Sequence, residues 1–557
     1  MAHSKKSVND VLSSSISGAS YLISLQLFSR VLTFVLNQLV VKIVGSKIYG
    51  AAMVDFELLL STILFLSREG FRCALLRADV ENSVTTEQSS MTSRQSNLAY
   101  LPIPIGLLIS AILIFFHFSG KTDDGDVPYY YVSASLYIGA AMIELLSEPF
   151  YILNLSQLNY PLRFKIEASA VFLKCLFTFV LSFGLFHVFG EASSEYAILS
   201  FGVSQLIYSL VLLSGYLRFF ISKEQSLFPR IEAGATGWKD SFDVELLSLS
   251  LTLSLQSFVK HLLTEGDKLL LALLNSAGAE KGRYSIAAHY GSLVARILFQ
   301  PIEESGRGLF SKLLKDYKND ASSSKEDLDP VVAASNILGT ILKFHVLLGF
   351  VFICFAPHYT ATLFDLLLGP SWSKTNAPAI LSIYCFYVPI MGINGITEAF
   401  VQAVAQPKEL QSLSYAMTLF TAIFLGVGFV LVRILPSVAY AVIIANCLNL
   451  SLRIIWSMNY MVHYFSRFST KAAAPIFKPS LVVPSGRIII AFILSSALCN
   501  YSEGYFGFET LLGKIKHVLV GGICFIGVCG ITFSDERKFL QDLKQLVGRP
   551  PKQTKVE

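Results

Sequence analysis

ISGASYLISLQLFSRVLTFVLNQLVVKIV, residues 16–44, is long enough to cross a bilayer as a helix and carries Arg30 near its middle. About 30 Å of hydrocarbon takes roughly 20 helical residues at 1.5 Å each. A cation at that depth costs about 2.5–3.5 kcal/mol on insertion scales, so a lone lipid-facing arginine would not persist there. Gln26, Thr33 and Asn37 stand at i−4, i+3 and i+7 from Arg30, and all four share one helix face. The spacing predicts a span that turns this face toward a wet interior.

Such stretches recur along the whole chain. The 557 residues are 53% hydrophobic and 15% charged, whereas a soluble protein carries about 25% charge. Fourteen apolar runs reach or approach spanning length: 16–44, 48–77, 97–118, 128–153, 162–188, 195–220, 244–275, 283–313, 331–356, 375–404, 410–433, 437–464, 486–502 and 512–533. The fold class expected is an all-α polytopic membrane protein. No cleavable signal peptide is expected, because the first fifteen residues are polar and the first span is too long for a signal core. The eight cysteines form no CxxC and read as small packing residues. With the N-terminus in the cytosol, lysine and arginine show about a threefold excess on the cytosolic side. That asymmetry predicts an even number of spans and both termini cytosolic.

The longest polar connection between groups of spans, 221–243, leaves six spans before it and eight after. Two matches cross it in the same order. Ser24-Leu-Gln-Leu-Phe-Ser-Arg30 reads against Ser254-Leu-Gln-Ser-Phe-Val-Lys260, and Arg68-Glu-Gly-Phe-Arg72 against Glu304-Ser-Gly-Arg307. They suggest an internal repeat of two copies six spans apart, in the same orientation. The organisation expected is a cytosolic N-terminus at 1–15, an N-lobe at 16–220, an inter-lobe linker at 221–243 and a C-lobe at 244–464. Two extra spans at 486–533 and a cytosolic tail at 534–557 complete it. The polar segment 316–330 reads as a solvated linker, and the tail as a short surface helix followed by coil.

Polar stripes recur in other spans at helical spacing. Glu57, Ser61, Arg68 and Arg72 line the second span, with Glu69 beside them. Gln256, Lys260, Thr264 and Asp267 line the seventh, joined by His261, Glu265 and Lys268. His289, Ser292, Arg296, Gln300, Glu303 and Arg307 follow one face of the eighth, with Glu304 adjacent. Asn394, Glu398 and Gln402 lie in the tenth, and Asn446, Asn449 and Arg453 in the twelfth. Intramembrane charges mark polar pathways or pair with one another. Two readings follow. The cations at mid-span suit an anion such as a phosphate or pyrophosphate, which arginine grips with two parallel hydrogen bonds. Alternatively the charges are mutual partners: Arg30 with Glu57, Lys260 with Glu265 or Asp267, Arg296 with Glu303. Glu144 and Glu148 in the fourth span, and Glu167 with Lys174 in the fifth, read as packing or gating pairs.

No G-x-x-x-x-G-K-[ST], H-E-x-x-H or serine elbow is present, so the chain carries no phosphate-binding loop for ATP and no enzymatic activity or cofactor is expected. Asp123-Asp124-Gly125-Asp126, in the loop 119–127 on the non-cytosolic side, leaves a metal-dependent glycosyltransferase as an alternative. Asn154, Asn449 and Asn500 head glycosylation sequons. Asn154 falls at the cytosolic end of a span and Asn449 within one, while Asn500 faces the right side but close to the membrane.

At this point the residues carry a family likeness. Arg30-Val-Leu-Thr-Phe-Val-Leu-Asn37, Leu66-Ser-Arg-Glu-Gly-Phe-Arg-Cys-Ala74, Glu148-Pro-Phe150, Thr264-Glu-Gly-Asp-Lys268, Gln300-Pro-Ile-Glu-Glu304 and Gly395-Ile-Thr-Glu-Ala-Phe400 resemble blocks of the Rft-type oligosaccharide translocation proteins of the endoplasmic reticulum. The likeness runs from about residue 16 to 530. It implies the architecture of the multidrug, oligosaccharidyl-lipid and polysaccharide exporter superfamily: two six-helix lobes, spans 1–6 and 7–12, around a central cavity. Spans 13 and 14 would be additional, as in the lipid II flippase. It further implies an endoplasmic-reticulum location and a dolichol-pyrophosphate-linked oligosaccharide, flipped to the luminal leaflet by alternating access in support of N-glycosylation. The membrane lipid and the glycosylation machinery are the partners expected, and no nucleic acid.

The cavity residues expected are Arg30, Asn37, Arg68, Glu69, Arg72, Lys260, Glu265, Asp267, Lys268, Arg296, Glu303, Glu304, Glu398 and Arg453. Lys260 stands where arginine would serve better, which weakens the case for two-pronged phosphate binding there. Two other readings stay open. One is an accessory factor that binds the glycolipid without moving it. The other is a cation-coupled small-molecule exporter of the same fold, which calls for an acid-dominated cavity, and the mid-span cations count against it; in the translocation cycle itself, Glu265, Asp267 or Glu398 could carry a coupling proton.

Overall fold

The computed structural model describes residues 33–85, 93–119, 127–156, 160–190, 193–222, 242–274, 278–314, 329–468, 482–507 and 510–548. Arg30, the acidic residues Asp123 to Asp126, most of the 221–243 linker and the 316–328 segment lie outside them. All regular structure among the described residues is helical. The chain divides into two compact units: Met1–Leu269 with Ala277–Gly282, and Leu270–Ser276 with Arg283–Glu557.

In the first unit, α1 (Thr33–Ile43) leads into α2. This second helix comprises Ser46–Gly50, a π-helical turn Ala51–Phe56 and Glu57–Thr85. There follow α3 (Pro102–Ser119), α4 (Tyr130–Leu146), α5 (Glu148–Ser156), α6 (Tyr160–Phe189) and α7 (Ser193–Ser222). The fourth expected span is thus α4 and α5, bent by 41°. Pro149 accounts for the break, since its ring cannot donate to the preceding turn. Helix α8 (Val244–Leu273) belongs to this unit as far as Leu269, although the sequence sets it at the head of the second lobe. Leu59, Ile63, Ile138, Ala141 and Leu145 pack α2 on α4, and Ile166, Ala170, Leu212, Tyr216 and Phe220 pack α6 on α7.

The second unit begins within α9, which comprises Gly278–Val294, a π-helical turn Ala295–Phe299 and Gln300–Leu313. It continues through α10 (Asp329–Cys354), α11 (Thr360–Leu367), α12 (Ala377–Val404), α13 (Pro407–Leu431) and α14 (Val438–Ser466). Phe310, Leu338, Leu342, Ile396, Phe400, Met461 and Phe465 form its core. The pattern of neighbours recurs in both units. Helix α2 packs on α4, α4 on α7 and α6 on α7, while α9 packs on α12, α12 on α14 and α13 on α14.

Ten described helices are long and apolar enough to cross a membrane, or eleven with the bent pair counted as one span. The expected spans that fall short are informative. The first is mostly outside the described residues. The seventh and eighth form long helices, but their polar stripes lower their mean hydropathy. Each also keeps an exposed apolar side, with Leu251, Leu255 and Phe258 on α8 and Ile297 and Leu298 on α9. The thirteenth expected span, the shortest of the set, is a full helix, α15 (Gly486–Phe506), paired with α16 (Leu511–Asp535). Their outer faces expose Ile490, Ile493, Leu494, Ile523, Ile526 and Phe533, as helices bathed in lipid do. The tail forms α17 (Arg537–Gly548), seated on α10 by Phe539 and by a 2.7 Å ion pair from Lys343 to Glu536.

A polar clamp holds the α15–α16 hairpin to the segment after α10. His517 of α16 bridges the Ser502 hydroxyl at 2.9 Å and the His358 carbonyl at 3.0 Å, and its ring stacks on Tyr359 at 4.3 Å. His358 reaches Glu503 and Ser496, each at 3.2 Å. Lys514 donates to Asp365, which also accepts from Ser373. Those two donors hold the Asp365 carboxyl below the usual carboxylate range. A depressed carboxyl contributes stability that is present above its unfolded pKa and is lost as pH falls through its folded value. Lys514→Ala is therefore expected to lower the thermal midpoint at pH 7. The gap to wild type should narrow as pH drops to about 3, which unfolding followed at both pH values checks.

Candidate functional site

The first unit carries its charge where α2 faces α4 and α5. Arg68 and Arg72 are one turn apart and share a helix face. The break at Ser147 places Glu144 at the end of one helix and Glu148 at the start of the next, both toward α2. Arg68 reaches Glu144 at 2.7 Å and Glu148 at 3.7 Å. Arg72 grips Glu148 with both prongs, Nε on Oε1 and Nη2 on Oε2, the latter at 2.6 Å. Glu148 is 1% exposed, so its charge depends on these partners. The Arg72 guanidinium also lies 4.0 Å from the Tyr151 ring centre, and Arg163 lies 5.1 Å from the same ring. Arg163 in turn donates to Glu167 at 2.8 Å.

A second series runs along α2 and α8. A Cβ at Gly70 would meet the Ser254 amide nitrogen at 2.5 Å and the Ser250 carbonyl at 2.7 Å, so the helices touch backbone to backbone there. Farther along, Thr62 bonds His261 at 2.9 Å, and Lys268 binds Glu57 at 3.3 Å and Glu265 at 3.0 Å. Asp267 accepts the Lys268 amide at 2.8 Å. This continuous seam explains why most of α8 clusters with the first unit. At its end the first residues of α9 cross α2 at three glycines. A Cβ at Gly50 would meet the Gly282 nitrogen at 2.5 Å, and a Cβ at Gly282 would meet the Ser46 carbonyl carbon at 2.7 Å. Gly278-Ala-Glu-Lys-Gly282 is the small-xxx-small pattern that permits such approach. The crossing buries a 2.8 Å ion pair of Lys281 with Asp55.

The second unit has charged groups of its own. Glu303 of α9 binds Arg307 at 2.7 Å. On α12, Glu398 accepts from Arg453 of α14, from Gln402 at 2.9 Å and from Asn394 at 3.4 Å. Gly395 makes room for Glu303, whose Oε2 would lie 2.9 Å from a Cβ at that position. Arginine–carboxylate pairs thus join α2 to α4 and α5 in one unit and α12 to α14 in the other, where Glu303 and Arg307 pair along α9.

Of the expected cavity residues, Arg68 and Arg72 come together in the first unit, as do Glu265 and Lys268. Glu303, Glu398 and Arg453 cluster in the second. Asn37 and Glu69 are half-buried, Glu304 is exposed beside Gln300, and the Lys260 side chain and Arg30 lie outside the described residues. The expected pairing of Arg30 with Glu57 lies outside the described residues, while Glu57 binds Lys268 across helices of the same unit. Two other expected pairings change. Glu303 takes Arg307 rather than Arg296, because the π-helical turn Ala295–Phe299 adds a residue between them and rotates Arg296 off that face, onto Ser292 at 3.4 Å. Glu167 takes Arg163, whereas Lys174 lies over the Tyr208 ring at 6.0 Å. Sequence reading passed over Asp55, Lys281 and Arg163; the Gly278-xxx-Gly282 spacing was the available signal for the first two.

Among the described residues no group of His, Cys, Asp or Glu is placed to hold a metal ion, and Asp124 and Asp126 lie outside them. Asn154 and Asn449 are buried, and Asn500 sits within α15, with Ser502 of its sequon bonded to His517.

The sequence model of the Rft protein family matches residues 14–546. The Man(5)GlcNAc(2)-PP-dolichol translocation protein RFT1 of Kluyveromyces lactis is 31% identical over 96% of this chain and 98% of its own. Its namesake in Mus musculus is 30% identical over 97% and 98%, and that in Dictyostelium discoideum 29% over 98% and 99%. Among solved structures, the lipid II flippase MurJ in an inward closed conformation aligns with a TM-score of 0.57 at 15% identity, covering 92% of this chain and 99% of MurJ. An inward-facing MATE-family multidrug transporter of the MOP superfamily aligns at 0.52 and 14%, covering 79% and 96%. At these identities the structural likeness establishes the fold.

Proposed function

The chain belongs to the Rft protein family, and from that premise we propose that it translocates a dolichol-pyrophosphate-linked oligosaccharide from the cytosolic to the luminal leaflet of the endoplasmic-reticulum membrane. Full-length relatives named for Man(5)GlcNAc(2)-PP-dolichol translocation give the substrate class. The observation that carries the reading is the pair of span-buried guanidinium clusters, Arg68 with Arg72 and Arg453 with its Glu398 hub. A diphosphate needs cations with planar donor forks at membrane depth, and each cluster supplies them with carboxylates that hold the charge while the site is empty. On this reading the fourteen expected spans form two six-span lobes with two additional helices, both termini are cytosolic, and the chain catalyses no bond-making step. The polyprenyl tail stays in lipid while the lobes rock and the head group passes between leaflets. Glu398, bonded to Arg453, Gln402 and Asn394, is committed as a counterion, which supports an anionic cargo over a proton-coupled drug.

Cells whose only copy carries Arg68→Ala with Arg453→Ala are expected to accumulate the dolichol-linked intermediate and to underglycosylate a reporter glycoprotein, with the variant present at wild-type level. Full glycosylation with no accumulation would overturn the proposal.

A further inference from the structure

The Arg68, Arg72, Glu144 and Glu148 cluster is closed upon itself, but one cation at its edge is not. Arg163 lies in the first turn of α6 (Tyr160–Phe189), at the end of a span and so at the level of lipid head groups. Its side chain is 37% exposed and its one carboxylate partner, Glu167, is 38% exposed, in an i,i+4 pair. Half-exposed pairs of that kind are weak, so Arg163 can change partners at small cost, more readily than the buried Arg72. The bond to Glu167 uses Nε and not the terminal amino groups of the fork. Beneath lies Tyr216, 1% exposed, whose hydroxyl has no hydrogen-bond partner among the described residues. That hydroxyl is within electrostatic reach of Arg163, Arg72 and Glu167. A buried hydroxyl left unpaired is costly, and an anion oxygen would satisfy it. Tyr151 holds the two guanidiniums on one ring, at 4.0 and 5.1 Å.

We propose that Arg163, with Tyr216 and the shared ring of Tyr151, forms a head-group docking site for a lipid-linked diphosphate. It receives the substrate at the membrane surface and passes it toward Arg72 and Arg68. This rests on the translocation reading and adds a residue and an order of events to it. Exposed Lys165 adds positive charge at the same boundary. The occupant is a membrane lipid, because the cation stands where a span ends and its inward neighbours are themselves within a span.

The test measures binding of farnesyl diphosphate and of inorganic pyrophosphate to the purified full chain in nanodiscs, for wild type, Arg163→Gln, Arg163→Lys and Tyr216→Phe. Wild type is expected to bind farnesyl diphosphate more tightly than pyrophosphate. Arg163→Gln should weaken that binding about tenfold or more, as loss of a charge-assisted hydrogen bond does. Tyr216→Phe should weaken it a few-fold, and Arg163→Lys should recover part of the loss by restoring charge without the fork. Equal affinity of wild type and Arg163→Gln overturns the proposal, and so does pyrophosphate binding as tightly as farnesyl diphosphate. A wild-type protein that binds through Arg163 yet moves no lipid would sink the translocation reading and leave this site standing. Transport with unchanged binding and initial rate in Arg163→Gln would do the reverse.

Discussion

Glu148→Ala is expected to destabilise the protein by about 3–5 kcal/mol, the cost of leaving a buried cation uncompensated. Glu148 is 1% exposed and takes both prongs of Arg72 while Arg68 approaches at 3.7 Å. Removing its carboxylate leaves the buried Arg72 guanidinium with the Tyr151 ring and no ion-pair partner of its own. Arg72→Ala alone leaves Glu148 with only the longer contact to Arg68, so it too should be costly. The double replacement Arg72→Gln with Glu148→Gln removes both charges and is expected to cost less than Glu148→Ala alone. Thermal midpoints of the single and double variants, measured in one lipid composition, form the cycle. Strictly additive losses would show that the two side chains do not act as a pair. In translocation, the neutral double variant should fold and fail, which separates what the pair does for stability from what the guanidinium does for the cargo.

Gly282→Val is the second substitution expected to have a large effect. At Gly282 even a methyl would lie 2.7 Å from the Ser46 carbonyl carbon, and the group in its way is backbone, which cannot swing aside as a side chain can. Helix α9 would have to lift off the start of α2, exposing the Lys281 and Asp55 pair to partial hydration and removing its 2.8 Å contact. Overpacking of this kind costs about 1–3 kcal/mol, and loosening a buried ion pair adds to it. Gly50→Ala should act in the same direction, with a Cβ 2.5 Å from the Gly282 nitrogen. Gly522→Ala, with open space around its Cβ, is the matched control and should leave the midpoint unchanged. Because the clash is local to one crossing, Lys281→Met with Asp55→Leu should be tolerated far better than either glycine change. If Gly282→Val unfolded at the wild-type midpoint, the close crossing would be contradicted.

Much of this fold is legible in the residues, and its limits have physical causes. Hydrophobic length finds spans because lipid requires it, and α15 shows that even a short apolar run can be a complete span. Length and hydropathy give less for α8 and α9, because their polar faces dilute the signal that marks a span. What reveals those two helices is the 3.6-residue spacing of Gln256, Lys260 and Thr264, and of Ser292, Arg296 and Gln300. Pairing is less legible than placement. The spacing puts Arg296 and Glu303 seven residues apart on one ideal face, but a π-helical turn shifts the phase between them. Nothing in the composition of Ala295–Phe299 announces that turn. Across helices the sequence is weaker still. It places Glu144 and Glu148 on one face of one span and Arg68 and Arg72 on one face of another, but nothing in the spacing says that the two faces meet. The Lys281 and Asp55 pair was hidden for a further reason. Lysine just before a span reads as an ordinary surface charge until the glycines on either side bring it against α2.

The most direct measurement is leaflet transfer of a labelled dolichol-pyrophosphate oligosaccharide in vesicles containing the purified full chain. Transfer is read as the fraction of lipid that becomes accessible to a membrane-impermeant glycan-modifying enzyme over time. The account predicts transfer well above that of protein-free vesicles, with Arg68→Ala and Arg453→Ala each slowing it about tenfold or more, while dolichyl phosphate lacking the second phosphate moves poorly. Transfer no faster than in protein-free vesicles, by a protein that still binds the glycolipid, would contradict it and make the chain a holder of this lipid rather than its carrier.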